Sequence, residues 1–430
     1  MSTPPLAEIA EFYRKRFGFG EPDRSITIHP DTKVIIVIPC YNEPNLLTTL
    51  HALQNCNTPK YPVAVLIVIN AGKEAEQKVL DQNMKSEKEA TQWIKDHTSE
   101  NLFFHVIRAD NLPPRHAGVG LARKIGMDEA LYQLAKIGFN GLIVCLDADC
   151  TVEKNYLQVL ENYCIEKNPK TITLYFEHDL ERVGDVQLKE GIIRYELFLR
   201  YYVNALRYSG FPFAFHTIGS SMGVRAAVYA KSGGMNRRKA GEDFYFLHKV
   251  APQGDLLEVN DTTVYPSARI SDRVPFGTGK AQSEWKRKSN TIYFTYNHLI
   301  FKDLKYFISS IDKIYNRNDQ KVNSQWLQTL PEAVRAFLAQ ENFEEKSLEI
   351  RKNTRNVAAF QKRFYAWLDG FKVLKFVHFA RDHFYPQVTI EEASRQLLQW
   401  QHHEDASRNA EDLLMRYRKL DKSSNIFIKK

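Results

Sequence analysis

Five consecutive β-branched residues, Val34-Ile35-Ile36-Val37-Ile38, closed by Pro39, constrain this chain more than any other segment. A strand with one wet face alternates apolar and polar residues, whereas an unbroken apolar run fits a parallel strand covered on both faces. Three more largely apolar runs follow: Val63 to Ile69, ending at Asn70-Ala71-Gly72; Phe103 to Ile107; and Gly141 to Leu146, ending in Asp147-Ala148-Asp149. Helical stretches are expected between them, from Glu43 or Asn45 to Leu53, from about Ala75 to His97, and from Gly120 to Ile137. Strand and helix alternate. The expected class is therefore α/β, a doubly wound, mostly parallel sheet with a Rossmann-like nucleotide-binding core and a ligand site at the carboxyl ends of its strands.

Upstream, a polar helix is expected around Ile9 to Arg16, followed by a loop to Pro30. Beyond Thr171 the pattern is mixed, with a short strand to Phe176, a helix from Gln187 to Leu206 and a turn at Gly219-Ser220-Ser221. After about Asn290 it changes to long amphipathic stretches, Val357 to Ala380 and Glu391 to Lys419 among them. The division expected is an N-terminal helix and loop over 1–30, a catalytic domain over 31–290 and an α-helical C-terminal extension over 291–430. Phe364, Trp367, Phe371, Phe376 and Phe379 are expected to form the core of that extension.

No stretch approaches the ~20 apolar residues that a spanning helix needs. The start, Met-Ser-Thr-Pro-Pro-Leu-Ala-Glu, lacks the basic and apolar regions of a signal peptide, so a cytoplasmic protein is expected. The five cysteines, Cys40, Cys56, Cys145, Cys150 and Cys164, show no zinc or disulfide spacing and are expected as small buried hydrophobes. The net charge of +8 is uneven: residues 301–430 hold 23 Lys+Arg against 17 Asp+Glu, leaving only +2 for the first 300 residues.

Four motifs can carry chemistry. Asp147-Ala148-Asp149 puts two carboxylates at a strand tip, where they can reach a hard divalent cation, Mg²⁺ or Mn²⁺, and a ribose. Pro39-Cys40-Tyr41-Asn42-Glu43-Pro44 shares that edge and can hold a base and ribose, or simply start a helix with Asn42 as its cap. Arg123 and Lys124 stand near a helix start, where cations oppose the dipole unless an anion intervenes; solvation at the surface is the alternative. Gly241-Glu242-Asp243-Phe244 places carboxylates at another helix start, either as caps or as a general base for an acceptor hydroxyl.

Taken in order, Ile38-Pro39-Cys40-Tyr41-Asn42-Glu43, Ala122-Arg123-Lys124-Ile125-Gly126, Leu146-Asp147-Ala148-Asp149, Gly233-Gly234-Met235 and Gly241-Glu242-Asp243-Phe244 resemble a family 2 glycosyltransferase of the GT-A fold over about residues 32 to 250. The resemblance implies a nucleotide-sugar donor, UDP- or GDP-linked, a divalent metal and inversion of the anomeric configuration. It implies that Pro39, Tyr41 and Glu43 line the nucleotide pocket, Asp147 contacts ribose or metal, Asp149 binds metal, Asp243 is the catalytic base and Glu242 meets the acceptor. Asn70 becomes a base contact, and Lys124, in place of the family's Asn, a phosphate contact beside Arg123. Arg269 to Gly279, with Arg273, is a candidate lid over the donor diphosphate. His216 and His248 are the histidines weighed as a third metal ligand.

Gln282-Ser283-Glu284-Trp285 departs from the Gln-x-x-Arg-Trp motif of processive synthases, so non-processive transfer is expected. The acceptor stays open among a glycan, a lipid-linked molecule and a small molecule, as do a homo-oligomer and a peripheral membrane contact through the basic extension. The enzymatic alternative, a sugar nucleotidyltransferase, would carry a glycine-rich phosphate loop after the first strand, where Tyr41-Asn42-Glu43-Pro44 stands. A catalytically silent nucleotide-sugar-binding protein is the other alternative. Nucleic acid is not an expected partner, because it would not explain buried strands ending in acids.

Overall fold

The structure is a computed structural model and describes residues 4–97, 99–271, 273, 277–288, 292–315, 320–402, 409–424 and 427–428. The chain divides into two compact units, one of Met1–Ile192, Thr217–Arg287 and Asp421–Lys430, the other of Ile193–His216 and Lys288–Leu420. In chain order the first elements are α1 (Leu6–Phe17), β1 (Val34–Cys40), α2 (Leu46–Gln54), β2 (Val63–Gly72), α3 (Gln77–Asp96), β3 (Leu102–Leu112), α4 (Val119–Lys136) and β4 (Leu142–Cys145). Next come β5 (Thr151–Val152), α5 (Tyr156–Asn162), β6 (Thr171–Phe176), α6 (Val186–Tyr208), β7 (Met222–Arg225), α7 (Ala226–Lys231), α8 (Glu242–Val250), β8 (Leu256–Tyr265) and α9 (Thr278–Arg287). The remainder is β9 (Phe294–Thr295), α10 (His298–Ser309), α11 (Asp312–Tyr315), α12 (Gln320–Thr329), α13 (Glu332–Gln340), α14 (Phe343–Lys352), α15 (Val357–Trp367), α16 (Gly370–His383), β10 (Val388–Thr389), α17 (Ile390–Trp400), α18 (Ala410–Ser423) and β11 (Phe427–Ile428).

The expected class is the observed one: a large, mostly parallel mixed sheet with flanking helices, and a helical C-terminal region. The strand order is β11-β8-β6-β7-β4-β1-β2-β3, with β5 on β8. β1 pairs in parallel with β2 on one side and β4 on the other. Every residue of β1 is buried, as the unbroken run requires. β3 runs beyond the expected Ile107 because it stays paired with β2 as far as Gly72 opposite Leu112, with a register shift between Asn70 and Gly72. β8 is absent from the sequence expectations, since Asn260 and Asp261 interrupt its apolar pattern. Both are satisfied locally: Asn260 donates to the Asp421 carbonyl at 2.9 Å, and Asp261 accepts from the Tyr163 hydroxyl at 2.6 Å.

In the second unit, the expected continuous stretches are broken. Val357 to Ala380 divides into α15 and α16 at Leu368-Asp369, where Asp369 accepts from the Lys372 amide at 2.8 Å and caps the new helix. Glu391 to Lys419 divides into α17 and α18, and residues 403–408 of that stretch lie outside the described residues. Phe364 and Phe376 are buried, with Trp367 packed 4.8 Å from Phe343 and Phe379 5.7 Å from Phe337. Glu196 is fully buried between Arg200 and Arg418, each held at 2.8 Å or less. Among the described residues, no helix is long and apolar enough to cross a membrane. All five cysteines are free, four of them buried and Cys56 half-buried.

Helix α4 is the axis of the first unit. The Tyr13 and Tyr229 hydroxyls both donate to Asp128 at 2.6 Å, and Lys124 Nζ lies 3.1 Å from the same carboxylate and 2.6 Å from the Tyr13 oxygen. These bonds pin α1 and α7 to α4, and all four residues are buried. Lys124 is therefore neither solvated at the surface nor beside Asp147. Removing one hydroxyl from a buried network strands its partners, so Tyr13→Phe is expected to lower unfolding stability by about 1–3 kcal/mol, read as a reduced urea midpoint with an unchanged slope.

Candidate functional site

In the order β4-β1-β2-β3 the strand β1 lies between β4 and β2 and runs parallel to both, so the carboxyl ends of β1 and β4 are neighbours. Val37 is in register with Cys145. Pro39 to Glu43 and Asp147 to Asp149 consequently leave the sheet side by side.

The tip of β1 is fastened by α3. The Asn42 amide donates to Asn83 Oδ1 at 2.9 Å, Asn83 Nδ2 donates to the Asn70 carbonyl at 2.9 Å, and the Ser86 hydroxyl donates to the Glu43 carbonyl at 2.8 Å. Asn42 has a φ of 49° and is not the cap of the next helix; Asn45 precedes α2 instead. Asn70 is buried, and its Oδ1 has no hydrogen-bond partner among the described residues.

Four charged side chains meet above this tip. Arg269 and Arg273 both reach Glu43, Arg273 at 2.8 Å, and both also reach Asp149 Oδ2, at 3.1 and 3.5 Å. Arg273 further donates to the Tyr41 carbonyl at 3.1 Å. Burial alone would raise the Glu43 carboxyl, but Arg269, the Asn45 amide and Arg273 together hold it below its ordinary value. At Asp149, burial and then the neighbouring Asp147 charge outweigh the arginines and push the carboxyl up to about 6. The segment's ends are joined where the Ser271 amide donates to the Gly279 carbonyl at 3.2 Å; its residues 272 and 274–276 lie outside the described ones. Arg269 belonged to the expected lid but was given no separate role, and Asn83 carried no sequence signal at all.

A second cluster adjoins the first. Arg123 is buried, and its guanidinium donates to Glu242 at the start of α8 and to Asp147 after β4. Its plane lies directly against Gly219, where a Cβ would collide with the guanidinium carbon at 2.6 Å. Burial opposes its charge, but Asp147, Cys145 and Asp243 more than restore it. Asp243 is half-buried beside this pair and accepts from the Phe244 amide at 2.7 Å. Burial raises its carboxyl above the ordinary value, against the pull of Arg123 and with the push of Asp147.

The structure thus brings Pro39, Tyr41, Glu43, Asp147, Asp149, Arg123, Glu242, Asp243 and Arg273 to one end of the sheet, with Asn70 at the neighbouring tip. Lys124, one residue from Arg123, is turned to Asp128. His248 packs 4.4 Å from the Phe244 ring, and burial pushes its imidazole down to about 4. Among the described residues, no group of three or more His, Cys, Asp and Glu side chains is placed to hold a metal ion.

A family model described as glycosyl transferase family 2 matches residues 35–230, from β1 into α7. The matched stretch is a family 2 glycosyltransferase domain. Glu242 and Asp243 lie beyond the match. The chain is similar to the crystal structure of S. aureus TarS 1-349, with 12% identity, 74% of this chain and 90% of that one covered, and a TM-score of 0.38. It is also similar to S. aureus TarS 1-349 in complex with UDP-GlcNAc, at 13% identity, 90% and 92% covered and 0.38. A third is GalNAc-T7 with UDP, GalNAc and Mn2+, at 16%, 74% and 55% covered and 0.34. No curated protein matches.

Removing one partner of a buried ion pair leaves the other charge uncompensated. Arg123→Met is expected to destabilise the protein by about 3–5 kcal/mol, measured by urea unfolding, and a change under about 1 kcal/mol would show that Glu242 does not depend on this guanidinium.

Proposed function

We propose that this glycosyltransferase moves a sugar from a UDP- or GDP-linked donor to a hydroxyl acceptor, non-processively, with inversion at the anomeric carbon and with a divalent cation. The observation that carries the reading is the junction at Arg123, which joins the acid at the tip of β4 to the acid pair at the start of α8. One carboxylate cluster serves the departing diphosphate and the other serves the attacking hydroxyl.

The side chains fit a hard cation. Asp147 and Asp149 supply oxygen donors one residue apart, and Asp147 Oδ2 and Asp149 Oδ1 accept no hydrogen bond among the described residues. Two carboxylates completed by phosphate oxygens and water is an ordinary environment for Mg²⁺ and accessible to Mn²⁺. When bound, such an ion neutralises charge on the diphosphate as it leaves.

The chain's own groups do the rest. Asn70 Oδ1, buried and lacking a donor, suits an N–H of the nucleotide base. Tyr41 and Glu43 flank the ribose. Arg269 and Arg273 can exchange their carboxylate partners for diphosphate oxygens, because guanidinium pairs equally well with either. Asp243 takes the acceptor's hydroxyl proton as that oxygen bonds to the anomeric carbon, while the bond to the diphosphate breaks and its electron pair departs with the leaving group. Gln282 donates to the Leu188 and Ala268 carbonyls and Trp285 to the Gln187 carbonyl, so both serve the fold of this region.

Calorimetric titration with UDP, GDP, CMP and their sugar conjugates, with Mn²⁺ or Mg²⁺ and with chelator, tests the donor half. One nucleotide is expected to bind only with metal, and Asp149→Asn to abolish that dependence; no binding to any of them would end the reading. For the acceptor half, Asp243→Asn is expected to keep donor binding while transfer falls by about 10²–10⁴-fold. The protonated carboxyl is inactive, and its pKa lies above the ordinary carboxylate value. The wild-type rate should therefore climb with pH along a limb above the usual range near ~4, and a flat profile through that window would remove Asp243 from the role.

A further inference from the structure

Two loops meet at the start of α8. The loop between β3 and α4 holds Arg115 and His116, and the loop between α7 and α8 holds Arg237, Arg238 and Lys239. His116 Nδ1 lies 3.4 Å from the Arg237 carbonyl oxygen. Gly120 at the first turn of α4 faces the Arg238 carbonyl so closely that no Cβ fits there, and that Cβ would also sit 3.0 Å from Glu242 Cβ. Asn236 accepts from the Arg238 amide at 3.1 Å and donates to the Glu242 carbonyl at 2.9 Å. The Arg238 guanidinium lies 3.5 Å over the Tyr245 ring of α8. The loop carrying three cations is thus built onto the same helix turn that carries Glu242 and Asp243.

These cations are not used up by ion pairs of the fold. Arg115, Arg237, Arg238 and Lys239 are all exposed, and none has a carboxylate within ion-pair distance among the described residues. They stand just ahead of the N-termini of α4, which has no acid in its first turn, and of α8, whose first turn carries Glu242 and Asp243. Burial and then the Lys124 charge push the nearby Lys249 amine down to about 8. With a net of only +2 over the first 300 residues, this concentration is local and not a general surplus. An anion resting here would relieve the crowding.

We infer that the acceptor is an anionic glycan, carrying phosphate or carboxylate groups, and that Arg115, Arg237, Arg238 and Lys239 form the rim that receives it beside Asp243. The inference rests on the proposed transfer reaction and gives its acceptor a chemical class. Arg269 and Arg273 stand with Glu43 and Asp149, so the donor diphosphate has its own cations and does not need the rim. A charged acceptor would be drawn to the rim before its hydroxyl reaches the base, with an attraction that salt screens.

The test uses the full chain and the triple variant Arg237→Gln, Arg238→Gln, Lys239→Gln, with three probes of equal length: an oligogalacturonate, a glycerol-phosphate oligomer and a neutral maltooligosaccharide. Calorimetry is run at low and at physiological salt, with nucleotide-diphosphate binding measured in parallel as the report on the donor site. The wild type is expected to bind at least one anionic probe and not the neutral one, more weakly as salt rises. The variant should lose about tenfold or more in that affinity while binding nucleotide as before. Nucleotide binding intact, together with equal affinity of wild type and variant for the anionic probes, or with none, would overturn the acceptor class and leave the donor reading standing. Absence of nucleotide binding in the wild type would instead sink the donor reading, and the rim would still be judged by the anionic probes. Rim-dependent binding to phosphatidylglycerol vesicles or single-stranded DNA that exceeds binding to the glycans would overturn it in favour of a membrane or a nucleic acid.

Discussion

A guanidinium withdrawn from water is tolerated only where carboxylates and hydrogen bonds replace what the solvent supplied. Arg123 meets that condition by drawing in acids from two distant parts of the chain, Asp147 after β4 and Glu242 at the start of α8, 24 and 119 residues away. Glu242 could not be buried there without it, and it could not be buried without the two acids. The bare backbone at Gly219 lets the planar group lie flat where any side chain would expel it. Helix α4 in turn must be fixed for Arg123 to be fixed. The Tyr13, Lys124, Asp128 and Tyr229 network does this one turn away, which gives the N-terminal helix α1 a part in the geometry of a site it never touches.

Around this junction the site alternates in sign. Glu43 and Asp149 share Arg269 and Arg273, and Asp147 and Glu242 share Arg123. Such an arrangement keeps like charges apart without a ligand and remains open to one, since each guanidinium can change partner at little cost if an incoming oxyanion takes the carboxylate's place. At Asp149 this balance is incomplete: burial and Asp147 oppose its charge more strongly than two arginines restore it.

Much of this was legible in the sequence, for reasons particular to each element. β1 and β2 are buried on both faces, so their residues have no polar alternation to confuse with a helix or a loop. The acids after β4 stand out because they end an apolar run. β7 was illegible because its four residues are too few to show a period, and β8 because a buried Thr262-Thr263 and a bonded Asn260-Asp261 read as a loop. Position along the chain misled at Lys124: adjacent helix residues point about 100° apart, so Arg123 and Lys124 face different clusters. The division of α15 from α16 was written in Asp369-Gly370, an N-cap signal hidden inside a stretch whose apolar pattern continues across it.

The same logic separates the two cationic regions of the first unit. A cation that a fold needs for itself is drawn to an acid, as Arg123, Arg269 and Arg273 are, and its position is then explained without reference to any ligand. Arg115, Arg237, Arg238 and Lys239 are exposed and have no carboxylate within ion-pair distance among the described residues, although Arg238 lies over the Tyr245 ring and the first turn of α8 carries Glu242 and Asp243. The Asn236 side chain, accepting from the Arg238 amide and donating to the Glu242 carbonyl, fastens their loop to α8. A group of cations that the fold holds in place without pairing them to acids is better accounted for by a ligand than by the stability of the fold, and this one is bonded to the helix turn that carries Asp243.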